Sequence, residues 1–298
     1  MRFGLNKERF MFQGSMVALV TPFAKGKVDE KALKALVKFQ IRNGTKALVP
    51  CGTTGESPTL SYDEHKRVIE IVVDTASGRI PVIAGTGSNS TQEAIEMTRY
   101  ARKIGADAAL LVAPYYNRPT QAGLYEHFSA IAKAVNFPLI LYNIPGRTGV
   151  NVLPETMAKL SKLKNIVGVK EASGSLDQMS QIASLCDTAI ISGDDSLTLP
   201  ILSIGGVGVI SVLANIVPRK VQDMIDAWNR GQVSLAKEIH IELYPLCKAL
   251  FIETNPAPVK AAMAMMGMMG EDIRLPLVKI GDESRKILEK ELKRAKLI

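Results

Sequence analysis

Short apolar runs alternate with longer amphipathic stretches from residue 15 to residue 230. The runs are 15–23 (SMVALVTPF), 46–52 (KALVPCG), 80–87 (IPVIAGTG), 107–115 (DAALLVAPY), 137–145 (FPLILYNIP), 165–173 (NIVGVKEAS), 188–195 (TAIISGDD) and 206–215 (GVGVISVLAN). Their cores are rich in Val, Ile, Leu and Ala and lack a polar alternation, which predicts strands buried on both faces, as in parallel sheets. Between them the apolar positions recur at helical spacing. Residues 28–44 predict a helix with Asp29 as N-cap, a stripe through Leu33, Leu36, Val37 and Ile41, and Gly44 as its stop. Residues 90–106 predict another, with Ser90 three positions before Glu93 as a capping box. Similar stretches cover 61–77, 120–135, 153–163, 175–186, 196–204 and 218–230.

Eight strand–helix pairs fit a (β/α)8 barrel, spanning 14–232. An open doubly wound sheet fits the same alternation, and periodicity alone leaves both standing. Residues 233–298 predict helices only, a C-terminal helical appendage that includes the apolar stretch MAMMGMM (263–269). That stretch suits packing onto the barrel or a contact between subunits.

Composition narrows the class. The 298 residues are 47% hydrophobic and 22% charged, enough for a large core and too apolar for disorder. No run of eighteen apolar residues predicts a membrane span, and the first fifteen residues lack the pattern of a signal peptide, so a cytoplasmic protein is expected. The net charge of +8 falls partly in the last helix, where acidic residues are interspersed and aromatics are absent, unlike a nucleic-acid surface. Cys51, Cys186 and Cys247 are too scattered for a disulfide framework or a zinc knuckle and read as buried apolar residues. His65, His127 and His240 are isolated, with no paired spacing for a metal. The glycines near 85–87 and 205–208 complete no dinucleotide fingerprint, so no cofactor is expected.

In a barrel the chemistry sits at the C-terminal ends of the strands. Lys170 closes one apolar run, where desolvation favours its neutral amine, a nucleophile for a carbonyl; the bland alternative is a lysine emerging into solvent. Tyr142 closes the preceding run and, with Thr53 and Tyr116, offers hydroxyls for proton transfer; a buried tyrosine is also commonly just a packed ring. The glycine-flanked Thr53-Thr54 turn suits a carboxylate, and Arg147 suits a second one; an ordinary turn and a surface arginine are the plain readings. The acidic Gly193-Asp194-Asp195 turn is unsuited to a phosphate.

GTTGES (52–57), APYYNRP (113–119), YNIPGRTG (142–149), GVKEAS (168–173), SGDDS (192–196) and GVISV (208–212) stand here in an order and spacing that resembles the dihydrodipicolinate synthase (4-hydroxy-tetrahydrodipicolinate synthase) group of the N-acetylneuraminate lyase superfamily. The resemblance runs from about Met11 to near the C-terminus; the ten residues before it have no counterpart. It implies a barrel in which Lys170 forms a Schiff base with pyruvate, without metal or cofactor. It implies that Tyr142, Thr53 and Tyr116 relay protons, with Tyr116 reaching a neighbouring subunit's site. Thr54 with Thr53 would bind the pyruvate carboxylate, the main chain at Gly193 and Ile210 would line the pocket, and Arg147 would bind L-aspartate 4-semialdehyde. The product would be 4-hydroxy-tetrahydrodipicolinate, for lysine and diaminopimelate synthesis, made by a homotetramer built as a dimer of dimers. Some members are inhibited by lysine, and Ser57, His65, Asn89, Glu93 and Tyr115 match that inhibitor site. The competing readings are N-acetylneuraminate lyase or a 2-keto-3-deoxy-sugar-acid aldolase, which share the imine chemistry, and a non-catalytic amino-acid-binding barrel.

Overall fold

A computed structural model describes residues 10–298. Residues 1–9, most of the segment before Met11, lie outside the described residues. Eight strands form one sheet in the order β4-β1-β10-β9-β8-β7-β6-β5: β1 (Gly14–Ala18), β4 (Ala47–Val49), β5 (Ile83–Gly85), β6 (Ala108–Val112), β7 (Leu139–Asn143), β8 (Ile166–Glu171), β9 (Ala189–Ser192) and β10 (Gly208–Ser211). Each falls inside one of the apolar runs or begins one residue before it. The order steps through the sheet as the chain steps through sequence, and a parallel bridge, Leu48↔Val82, joins β4 to the residue before β5. This is the (β/α)8 barrel class rather than a doubly wound sheet, whose strand order would reverse at a switch point.

The chain divides into two compact units. One takes in Ile83–Ile210 with the start of the described chain up to Gly14. It runs β5, β6, β7, β8, β9, β10, every neighbouring pair parallel. The connecting helices are α3 (Thr91–Lys103), α4 (Gln121–Ala134), α6 (Pro154–Leu160), α7 (Leu176–Leu185) and α8 (Thr198–Ser203). A short helix, α5 (Pro145–Thr148), follows β7 and was not predicted. Ser90 caps α3 through the Glu93 N–H, but the capping box is not closed: the Glu93 carboxylate takes the Ser88 hydroxyl at 2.8 Å instead.

The other unit holds Ser15–Val82 and Ser211–Ile298. It contains β1 paired in parallel with β4, α1 (Glu30–Arg42), α2 (Tyr62–Ala76) and α9 (Pro218–Asn229). Asp29 caps α1 as expected, and Gly44 just beyond that helix has φ +81°, a conformation that favours glycine. The reciprocal capping box belongs to α2, where Ser61 and Glu64 exchange side-chain and backbone bonds. A hairpin of β2 (Phe23–Ala24) and β3 (Lys27–Val28) precedes α1. Residues after 232 form α10 (Val233–Ala249), α11 (Ala257–Met265) and α12 (Asp282–Arg294). Cys51 and Cys247 are buried, whereas Cys186 is only half-buried at the end of α7. No helix of the described residues is long and apolar enough to cross a membrane.

Candidate active site

The strand ladder sorts the chemistry of β7 and β8. Tyr142 pairs in register with Lys170, and Asn143 with Glu171. Successive side chains of a strand leave opposite faces, so paired residues share one. One face therefore carries Tyr142 and Lys170, the other Asn143 and Glu171.

On the first face Lys170 is 6% exposed, and its Nζ lies 4.1 Å from the centroid of the Tyr142 ring. The ring offers its negative π-face to a cation but does not replace the lost hydration. Burial accordingly lowers the Lys170 pKa to about 8; Asp194 and Asp195 pull it up and Arg147 pushes it down. Asp194 is itself shifted upward, first by burial, then lowered by Lys170 and raised by Asp195 and Glu171. A lysine of this kind is about one-tenth free amine at pH 7, far more than an ordinary lysine presents.

Gly193 follows β9. Its N–H donates to the Glu171 carbonyl at 2.7 Å, and a Cβ there would sit 2.6 Å from the Ala172 Cβ, so the close approach to β8 excludes a side chain. Ile210 is buried in β10. Arg147 is exposed on α5. Tyr116 follows β6 on the loop 113–120; it is 90% exposed at φ +72°, and Arg118 two residues on has φ +45°. Such strain persists where the surroundings over-determine it. Here Asn89 Nδ2 donates to the Tyr115 carbonyl at 3.2 Å, Asn117 Nδ2 to the Asn89 carbonyl at 2.9 Å, and Arg118 Nε to the Gly149 carbonyl at 3.1 Å. Asn89 and Tyr115, expected at the inhibitor site, are thus joined directly, while Glu93 is exposed nearby on α3.

Thr53, Thr54, Ser57 and His65 belong to the other unit. Thr54 is buried, and its hydroxyl accepts from Asn255 Nδ2 at 3.0 Å. The turn is tight: Gly55 N–H reaches the Gly52 carbonyl and Glu56 N–H the Thr53 carbonyl, each at 3.1 Å. Glu56 sits at φ +55° and is tied down by Lys260, fully buried, at 2.5 Å and by the Arg274 N–H at 3.1 Å. The sequence reading passed over Asn255 and Lys260, two hundred residues from the turn they hold. Among the described residues no group of three or more His, Cys, Asp or Glu side chains could hold a metal.

The fold and the lysine define the class: a (β/α)8 barrel bearing a desolvated amine at a strand's C-terminal end. The chain belongs to the dihydrodipicolinate synthetase family, whose model matches residues 11–295. It is 56% identical over 290 residues to the 4-hydroxy-tetrahydrodipicolinate synthase of Syntrophus aciditrophicus, covering 97% of this chain and all of that one. Among solved structures, dihydrodipicolinate synthase from Aquifex aeolicus matches with a TM-score of 0.95 at 51% identity, over 96% of this chain and 99% of that one. A structure described as the first monomeric dihydrodipicolinate synthase variant matches with a TM-score of 0.95 at 43% identity, over 97% and 98% of the two chains.

Proposed function

We propose that the protein condenses pyruvate with L-aspartate 4-semialdehyde to give 4-hydroxy-tetrahydrodipicolinate, feeding lysine and diaminopimelate synthesis. The observation that carries this reading is the buried Lys170 amine above Tyr142. Family membership and relatives bearing that activity's name support it. The free amine attacks the pyruvate keto carbon, and water leaves to give the imine. Loss of a methyl proton gives an enamine, whose carbon attacks the aldehyde of the second substrate. That substrate's amine then adds to the imine carbon and expels Lys170. Tyr142, Thr53 and Tyr116 carry the protons, Tyr116 from a neighbouring subunit of a homotetramer. Thr53 and Thr54 receive the pyruvate carboxylate, main-chain groups at Gly193 and Ile210 line its pocket, and Arg147 receives the carboxylate of the semialdehyde.

The test is borohydride reduction in the presence of pyruvate, with mass spectrometry of the peptides and a parallel assay of semialdehyde consumption. The expected result is a pyruvyl adduct confined to Lys170, absent from Lys170→Ala, together with turnover. An adduct without turnover would move the assignment to a sugar-acid aldolase. No adduct on folded protein would end the catalytic reading.

A further inference from the structure

The face opposite Lys170 carries a feature that the proposed chemistry does not use. Glu171 is fully buried, and no cation contacts it among the described residues. Neutral donors hold its carboxylate: Asn143 Nδ2 reaches both oxygens at 3.2 and 3.1 Å, the Ser173 N–H reaches Oε1 at 2.8 Å, and Gln178 Nε2 of α7 reaches Oε2 at 3.0 Å. A buried carboxylate held this way is costly to build and fixes the direction of every donor around it.

Asn143 spends its amide hydrogens on Glu171 and on Asn151 Oδ1 at 2.8 Å, so its carbonyl oxygen is left to accept from the Val152 N–H at 2.9 Å. Asn151 in turn donates to Gln178 Oε1 at 2.7 Å and, through its main-chain carbonyl, accepts from Gln121 Nε2 at 2.7 Å. The loop between β7 and α6 is therefore pinned at Asn143, Asn151 and Val152. The arc between these pins, residues 144–150, is held also by Arg118 at the Gly149 carbonyl and carries Arg147 on α5.

We propose that Glu171 is a positioning residue for the second substrate: by orienting Asn143, Asn151 and Gln178 it fixes the loop that presents Arg147 to that substrate's carboxylate. The inference rests on the reading of Arg147 given above. It separates the two half-reactions. Imine formation needs Lys170, whose amine lies over the Tyr142 ring on the strand face opposite Glu171 and its donors. Condensation needs the loop.

Glu171→Gln keeps the shape and turns one acceptor into a donor, which then faces Asn143, Gln178 or the Ser173 N–H as donor against donor. In the full-length protein the KM for aspartate semialdehyde should rise roughly tenfold or more. The pyruvate KM and the rate of borohydride trapping at Lys170 should stay within about twofold of the parent. Gln178→Leu, on α7, is the second variant; it removes a donor to Glu171 and should give the same split, weaker. A parallel rise in both KM values, a loss of trapping in folded variants, or parental constants in both would overturn the inference. A parent protein that forms the imine but does not use the semialdehyde would bring down the functional reading and this inference with it, whereas parental turnover with no split in the variants would bring down the inference alone.

Discussion

A lysine ammonium closed off from water is at a disadvantage against the same group in the unfolded chain. For Lys170 the folded pKa of about 8 lies below the ordinary value of 10.5. Below pH 8 both states carry the proton, and the folded state bears the full penalty. Between about pH 8 and 10.5 the folded protein gives up its proton first, so folding becomes relatively more favourable as pH rises. Above that window both states are neutral and the penalty is gone. Lys170→Met should therefore be more stable than the parent at pH 7, by about 3 kcal/mol. Denaturant midpoints of the two proteins across this range should show the gap closing as pH climbs. A gap independent of pH, or a variant less stable at pH 7, would contradict the assignment of a desolvated ammonium. Lys170 was legible because a lysine ending an unbroken apolar run is unusual. Glu171, next to it, carried the same signal: alternation along a strand puts it on the opposite face, beneath a helix, where a carboxylate needs donors.

At the scale of elements, the eight strands were legible because each is a compact apolar run, and both ends of α1 and the start of α3 because Asp29, Gly44 and Ser90 mark them. What escaped depends on backbone geometry or on distance in sequence. The β2–β3 hairpin turns through Lys25 and Gly26, both at positive φ. Lys-Gly is a poor advertisement for such a turn beside Asn-Gly. The anchoring of the Thr53-Thr54 turn was invisible because its partners, Asn255, Lys260 and Arg274, come from α11 and the segments on either side of it. Phe23 has two cations against its ring: Lys260 Nζ is 4.3 Å and Arg274 Cζ 4.2 Å from its centroid. Lys260 also donates to the Thr21 carbonyl at 3.0 Å, and Arg274 forks onto Glu64 at 2.6 and 2.7 Å. Burial lowers the Lys260 pKa while Glu56 raises it. Removing one member of a buried pair strands the other, so Lys260→Met should cost about 3–5 kcal/mol. Lys260→Met with Glu56→Leu should recover part of that, because no uncompensated charge remains. Urea unfolding of the parent, of each single variant and of the double variant measures both. A double variant as unstable as the sum of the singles would mean that the pair acts through packing, not charge.

At the scale of the whole molecule, Tyr116 poses a question that one chain does not answer. A tyrosine held at positive φ and almost fully exposed does little for its own fold. If its hydroxyl serves a second copy, as proposed, the defect of Tyr116→Phe belongs to the partner's site and that of Lys170→Ala to its own. In a mixed dimer the Tyr116→Phe subunit keeps its lysine and borrows the partner's intact tyrosine, making one complete site of two. Equal amounts assembled at random give roughly half mixed dimers, so activity should return to roughly a quarter of the parent's from two variants that are each nearly inactive alone. Coexpression with two different tags isolates the mixed species directly, and sedimentation on the same samples gives the assembly's size. A tyrosine acting within its own subunit leaves every site of a mixed dimer defective, and no activity returns. A monomer, the state named for one of the matching structures, gives the same silence but sediments as a single chain, so the two failures are told apart in one experiment.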